Sequence, residues 1–264
     1  PVATDDLNIL LLGTDRRPGK DPTWRTDTII VVAVRPAARR VAMLSIPRDL
    51  WVHIPGWQYN RVNVIDYLGE RTYGHGGGPR LVAATLKENL HIPIHAYVRV
   101  HILGLERIID ALGGVTLDPG RAFDEVMDVS AAGVYRLHLS PGLQHMDGRT
   151  AIGYARSRRG SDDLDRSRRQ QQVLLAMRDA ALQHSVVSHL PELLVALADT
   201  VETNLSPAQV LALVGLATQL DSASYRLRVF DGTMVRDWIT PGGAMVLLPN
   251  RARIERAWAE LTVE

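Results

Sequence analysis

Three apolar runs near the N-terminus constrain this chain more than any other feature in it. Leu7-Asn-Ile-Leu-Leu-Leu-Gly13 is a short hydrophobic stretch, Thr28-Ile-Ile-Val-Val-Ala-Val34 is dense in β-branched residues, and Val41-Ala-Met-Leu-Ser-Ile46 follows. Branched side chains are stiff at χ1 and pack well on a pleated surface, so these runs read as strands. Their hydrophobicity is near-continuous rather than alternating, which requires cover on both faces of the sheet. The link Arg35-Pro-Ala-Ala-Arg-Arg40 is short enough for a hairpin and sets the second and third strands antiparallel.

After a polar, glycine-rich stretch ending in His75-Gly-Gly-Gly78, the pattern changes period. It predicts helices over residues 79–90, 105–112, 151–154, 163–183, 190–201, 207–220 and 251–261. Shorter strands are expected at 96–100, 115–117, 137–139 and 225–230. Pro79 suits a first helical turn, Gly113-Gly114 a helix end, and Ser206 an N-cap. Strands and helices interleave without a linker or repeat. The expected architecture is a single α/β domain over residues 1–264, with residues 185–264 completing the fold.

Composition narrows the function classes. The chain is 46% hydrophobic and 22% charged, enough apolar material for a sizeable core. Net charge is only +1, which argues against nucleic acid as a general partner. Cysteine is absent, excluding disulfides and thiolate chemistry. No apolar run is long enough to span a bilayer. The chain starts at Pro1 rather than Met, so a preceding signal or membrane anchor is expected.

Asp15 lies just beyond the first strand, Asp27 just before the second, and Arg48 and Asp49 just beyond the third. If these strands are antiparallel neighbours, all four residues collect at one sheet edge together with Arg16, Arg17 and Arg25. Converging carboxylates beside arginines suit a hard divalent ion such as Mg2+, which takes one or two carboxylates and fills its shell with phosphate oxygens and water. Solvated turns at strand ends would use the same residue types.

A second cluster comprises Arg156, Arg158, Arg159, Arg166, Arg168 and Arg169. At 100° per residue, Arg166, Arg169 and Gln170 share a helix face with Val173, Met177 and Ala180, whereas Arg168 points away. Guanidinium groups on a buried face need partners. Asp162, Asp163 and Asp165 are near in sequence, and a phosphate or pyrophosphate matches the planar fork of arginine better.

Taken together, Asp15 through Arg25-Thr-Asp-Thr28, Ser45-Ile-Pro-Arg-Asp49, Asn60-Arg-Val-Asn63, Asp110-Ala-Leu-Gly-Gly-Val115, Leu143-Gln-His-Met-Asp-Gly148, Tyr154-Ala-Arg-Ser-Arg158 and Asp163-Leu-Asp-Arg-Ser-Arg-Arg-Gln170 resemble the LytR–CpsA–Psr family in order, from about residue 8 to residue 184. The resemblance implies an α/β/α sandwich with a mixed, largely antiparallel sheet and a hydrophobic tunnel for a polyprenyl chain. It implies Mg2+, with Mn2+ as a substitute, at Asp15 and Asp27. Pyrophosphate contacts would come from Arg48, Arg156, Arg158, Arg166 and Gln170, with Arg25 and Arg169 added from their placement above. The implied activity is a phosphotransferase on the outer face of the cell membrane. It would move a glycopolymer (teichoic acid, capsule or arabinogalactan) from a polyprenyl-pyrophosphate carrier to peptidoglycan, with Arg48, Asp49, Arg156 and Arg158 catalytic and Asp49 or a metal-bound group taking the proton. A pyrophosphatase at the same site, or a non-catalytic regulator binding lipid or nucleic acid, are the alternatives.

Other motifs lead elsewhere less well. His75-Gly-Gly-Gly78 is similar to a lipase oxyanion loop, but no G-x-S-x-G elbow accompanies it. His91 and His95 have metal-like spacing, broken by Pro93. There is no P-loop and no dinucleotide fingerprint. Trp24, Trp51, Trp57, Trp238 and Trp258 are expected in packing roles, with Trp51 and Trp57 close enough in sequence to the Arg48–Asp49 edge to meet a sugar.

Overall fold

The structure, a computed structural model, describes residues 5–15, 23–130, 133–157, 163–183 and 200–263. Its residues form two compact units, Pro1–Arg99 with Thr203–Glu264, and Val100–Glu202.

The first unit is built on a six-stranded mixed sheet in the order β11-β6-β1-β2-β3-β12. Here β1 is Leu7–Thr14, β2 Thr26–Arg35, β3 Arg40–Ser45, β6 Ala96–His101, β11 Val201–Thr203 and β12 Tyr225–Val229. The β1–β2 and β2–β3 pairs are antiparallel, as the runs and the short link predict, and β12 joins β3 in parallel. Leu10, Leu12, Ile29, Val31 and Leu44 pack in one core with Leu81, Val82, Leu86 and Leu90 of α2 (Gly77–Leu90) and with Ile254, Ala257 and Leu261 of the C-terminal helix α7 (Arg251–Val263). The alternate residues Ile9, Ile30, Val32, Val41 and Met43 are also buried, so both sheet faces are covered.

The glycine-rich stretch hides more structure than its composition suggests. Two short strands, β4 (Trp51–His53) and β5 (Tyr59–Arg61), form a hairpin, and α1 (Ile65–Tyr73) follows. Helix α2 starts two residues earlier than Pro79 implies, behind Gly76 at φ +74°. The glycines serve a close helix crossing. A Cβ on Gly69 would sit 2.6 Å from the Gly77 carbonyl oxygen, and one on Gly78 would collide with Asp66. A second hairpin, β13 (Val235–Ile239) with β14 (Met245–Pro249), follows β12. The helix α6 (Pro207–Ala217) opens with a full capping box between Ser206 and Gln209.

The second unit contains α3 (Ile102–Ala111), β7 (Val115–Leu117), the hairpin β8 (Phe123–Ser130) with β9 (Gly133–Leu139), β10 (Gln144–Met146), α4 (Gly148–Arg156) and α5 (Asp163–Gln183). Ile109, Val115, Phe123, Leu137, Ile152, Tyr154, Val173 and Ala180 anchor its own core. The helix expected at 190–201 falls mostly outside the described residues, and Val201–Thr203 is a strand. Among the described residues no helix is long and apolar enough to cross a membrane.

Candidate active site

The sheet end where β1 leaves and β2 enters gathers the predicted carboxylates. Asp15 faces Arg25 across the ladder: its amide donates to the Arg25 carbonyl at 3.1 Å, and its Oδ1 accepts from the Arg25 amide at 2.6 Å. Register slips between Gly13 and Thr14, because Gly13 pairs with Thr28 and Thr14 with Thr26. Asp27 is therefore the extra residue of a bulge within β2, where sequence places it before the strand. Its neighbour Thr26 is fully buried, and Thr26 Oγ1 has no hydrogen-bond partner among the described residues.

Arg48 and Asp49 project from a tight turn just past β3. Leu50 N donates back to Pro47 O at 3.1 Å, and Asn63 N and Leu247 N bond the carbonyls of Arg48 and Asp49 at 3.3 and 3.0 Å. The turn is held from two sides, so its side chains are presented in fixed positions. Arg48 Nη1 donates to Asp27 Oδ1 at 3.0 Å while its Nε lies 3.4 Å from Asp49 Oδ2. Asp49 Oδ1 also meets Arg61 Nε at 3.1 Å, and Arg61 Nη2 donates to the Met245 carbonyl at 2.8 Å. The result is a charge chain, Asp27–Arg48–Asp49–Arg61, with the acids and bases alternating. Arg61 had no assigned role in the sequence. The signal that could have found it is its place in Asn60-Arg-Val-Asn63, one strand away from the Arg48–Asp49 turn.

A buried network supports this edge from behind. Arg99 Nη1 donates to Asp66 Oδ1 and to Glu70 Oε2, both at 3.0 Å, and Trp24 Nε1 donates to Asp66 Oδ2 at 2.7 Å. Trp24 immediately precedes Arg25, the partner of Asp15. Burial pushes the Asp66 carboxyl up by more than Arg99 and Trp24 draw it down. Burial also pushes Glu70 up, but the Arg99 guanidinium and the amides of Gly78 and Gly76 outweigh it and leave Glu70 below the usual glutamate range.

The arginine cluster lies in the second unit. The buried face of α5 carries Arg166, Arg169, Val173, Ala176 and Ala180, close to the phase read from the sequence, with Arg168 exposed. Arg166 Nη2 pairs with Asp163 Oδ2 at 2.9 Å. Arg169 donates from Nε to the Tyr154 carbonyl at 3.0 Å and from Nη2 to the Ser157 carbonyl, so it caps the end of α4. Its guanidinium also lies over the rings of Phe123 and Tyr154. Arg156 ends α4 and is half-buried, and Gln170 is half-buried on α5. Arg16, Arg17, Arg158 and Asp162 lie outside the described residues.

The LytR_cpsA_psr family model matches residues 2–262. The chain belongs to the LytR–CpsA–Psr family. Among curated relatives, the polyisoprenyl-teichoic acid–peptidoglycan teichoic acid transferase TagU of Oceanobacillus iheyensis is 36% identical over 76% of this chain and 59% of its own length. The similarly named transferase TagV of Bacillus subtilis is 32% identical over 95% of this chain and 62% of its own length. This LytR–CpsA–Psr chain thus spans about three-fifths of those relatives. The crystal structure of B. subtilis TagV superposes with a TM-score of 0.77 at 27% identity, covering 97% of both chains.

Proposed function

We propose that the chain is the catalytic region of a phosphotransferase that moves a glycopolymer from a polyprenyl-pyrophosphate carrier to peptidoglycan through a phosphodiester bond. The observation that supports this most is Arg48, held between Asp27 and Asp49 at the sheet end by a turn fixed on both sides. Phosphoryl transfer asks little covalent chemistry of a protein and much positioning of charge, and an alternating acid–base chain on a rigid edge suits it. The relatives' names point to a teichoic acid as the class of polymer, ahead of capsule or arabinogalactan.

In the proposed reaction, a sugar hydroxyl of the acceptor attacks the phosphorus bearing the glycan. The P–O bond to polyprenyl phosphate breaks, and the hydroxyl proton passes to the Asp49 carboxylate. Arg48 stabilises negative charge on the transferring phosphoryl oxygens, with Arg25, Arg156, Arg158, Arg166 and Gln170 as further phosphate ligands. Arg169 contributes through its hold on the end of α4.

Asp15 and Asp27 fit a hard cation. Among the described residues, each is engaged by protein donors through Oδ1 and none is recorded at Oδ2, and the buried Thr26 hydroxyl beside Asp27 is unsatisfied. Mg2+ or Mn2+ bound there would neutralise pyrophosphate oxygens. The lipid would occupy an apolar tunnel, and the protein would act at the outer face of the cell membrane.

The test is mass spectrometry of the chain with a short polyprenyl diphosphate, with and without Mg2+, beside Asp27→Ala, and then with an acceptor glycan. Mg2+-dependent turnover that yields glycan adducts supports the transferase. Release of free phosphate products despite acceptor makes it a pyrophosphatase. No binding in folded protein overturns both.

A further inference from the structure

We infer that the outer face of the β4–β5 hairpin, together with Trp238, is a carbohydrate-binding platform that seats pyranose rings of the acceptor glycan beside Asp49. This rests on the transferase reading for the identity of the glycan, but the platform itself is argued from geometry.

Directly opposed residues of an antiparallel pair share a face. The register Trp51↔Arg61 and His53↔Tyr59 therefore places these four side chains on one side of the hairpin, while Val52 points into the core and is fully buried. Two aromatic contacts order this face. Trp51 meets Trp238 of β13 edge-on, with ring centroids 6.2 Å apart at 61°, and His53 meets Tyr59 at 5.3 Å and 62°. Packing of the rings against each other fixes them before any ligand arrives, which lowers the entropy cost of binding.

Trp51 and Trp238 are half-buried, and the aromatic groups around them remain open to solvent. Tyr59 is 53% exposed and Trp57, in the hairpin turn, 38%. At the tip of the β13–β14 hairpin, Ile239 and Met245 are more exposed still. Exposed apolar patches rimmed by polar groups mark binding surfaces.

The rim is what selects a sugar over a purely apolar partner. Arg61 and Asp49 form the ion pair that continues into Arg48, and His53 Nδ1 lies 2.6 Å from Glu88 Oε1. A pyranose has one face of C–H groups that meets the electron-rich face of an aromatic ring, and a rim of hydroxyls that needs charged and polar partners. The face supplies both sets. Arg61, opposite Trp51 on this face, pairs with Asp49 at 3.1 Å, so a glycan lying on the platform comes within reach of the carboxylate assigned as its base.

Titration calorimetry of the full 264-residue chain with a β-1,4-linked N-acetylhexosamine tetrasaccharide tests this. The expected result is saturable binding, weakened about tenfold or more in Trp238→Ala and Tyr59→Ala and largely restored in Trp238→Phe, with circular dichroism confirming folded variants. The Tyr59 side chain is more than half exposed, so its replacement keeps the test intact if Trp238→Ala does not fold. No binding to the unaltered chain, or binding indifferent to both substitutions, overturns the proposal. Binding of polyprenyl diphosphate to the unaltered chain is measured in parallel. Donor binding without sugar binding defeats the platform alone. Sugar binding without donor binding supports the platform and defeats the transferase reading.

Discussion

Arg48 and Asp27 are joined across the end of the sheet, Nη1 of the arginine donating to Oδ1 of the aspartate at 3.0 Å with both side chains mostly covered. The pair links the bulge in β2 to the turn after β3, so the Arg48 guanidinium is fixed by backbone on both sides. Replacing Arg48 with alanine is expected to slow single-turnover transfer by about 10²–10³-fold, the usual loss of one transition-state donor. Lysine at this position should restore only part of the rate, because an ammonium cannot span Asp27 and Asp49 with a planar fork. An unchanged rate in the alanine variant would remove Arg48 from the reaction.

Arg99 bridges Asp66 and Glu70 in the buried network that Trp24 also joins, with 4% side-chain exposure. Arg99→Met leaves two carboxylates facing each other in the interior, and breaking such a pair costs roughly 3–5 kcal/mol. Urea unfolding should show a large fall in midpoint. A loss of unfolding free energy under about 1 kcal/mol would mean the network is not coupled to folding.

The same network gives a pH signature. Glu70 is held below its ordinary value in the folded protein, so the unfolded state binds the extra proton as pH falls below about 4.3. Its stabilisation is present above that pH and is lost as acid titrates the folded carboxylate. Asp66, raised by burial, contributes with the opposite sign, since its protonation favours the folded state. Glu70→Gln should therefore flatten or reverse the loss of stability on acidification, read from denaturation curves between about pH 3 and 6. An acid limb of unaltered slope would place its cause elsewhere.

Arg169 holds two backbone carbonyls with different nitrogens and is nearly inaccessible. Arg169→Ala is expected to cost roughly 3 kcal/mol in ligand-free protein, and lysine should recover little of it. If the variant unfolds like the parent without ligand but loses phosphate binding, Arg169 acts on the ligand directly.

Gly69→Ala tests the helix crossing. The new Cβ would meet the Gly77 carbonyl oxygen at 2.6 Å and Gly78 Cα at 2.8 Å, both backbone atoms that move only with their helix. Overpacking of this kind costs about 1–3 kcal/mol. A thermal midpoint equal to the parent would show that α1 and α2 separate freely.

The sequence by itself determined the three N-terminal strands, the antiparallel link at residues 35–40, and the phase of α5, because hydrophobic period and chain-closure sterics act locally. It also placed Asp15, Asp27, Arg48 and Asp49 at strand ends. It showed only the end of β9, at residues 137–139, and not its partner β8, whose Asp124, Glu125 and Asp128 oppose strand propensity; nor did it show β13–β14, two five-residue strands too short to give a clear period. Tertiary structure alone decided the partners. Period shows that Arg169 faces inward, but only the approach of α4 to α5 supplies the carbonyls of Tyr154 and Ser157. Likewise Arg61 reaches Asp49, and Trp238 reaches Trp51, through contacts between hairpins distant in sequence. The face a residue turns inward follows from the pattern along the chain; the group that satisfies a buried charge is chosen by the fold that brings the two together.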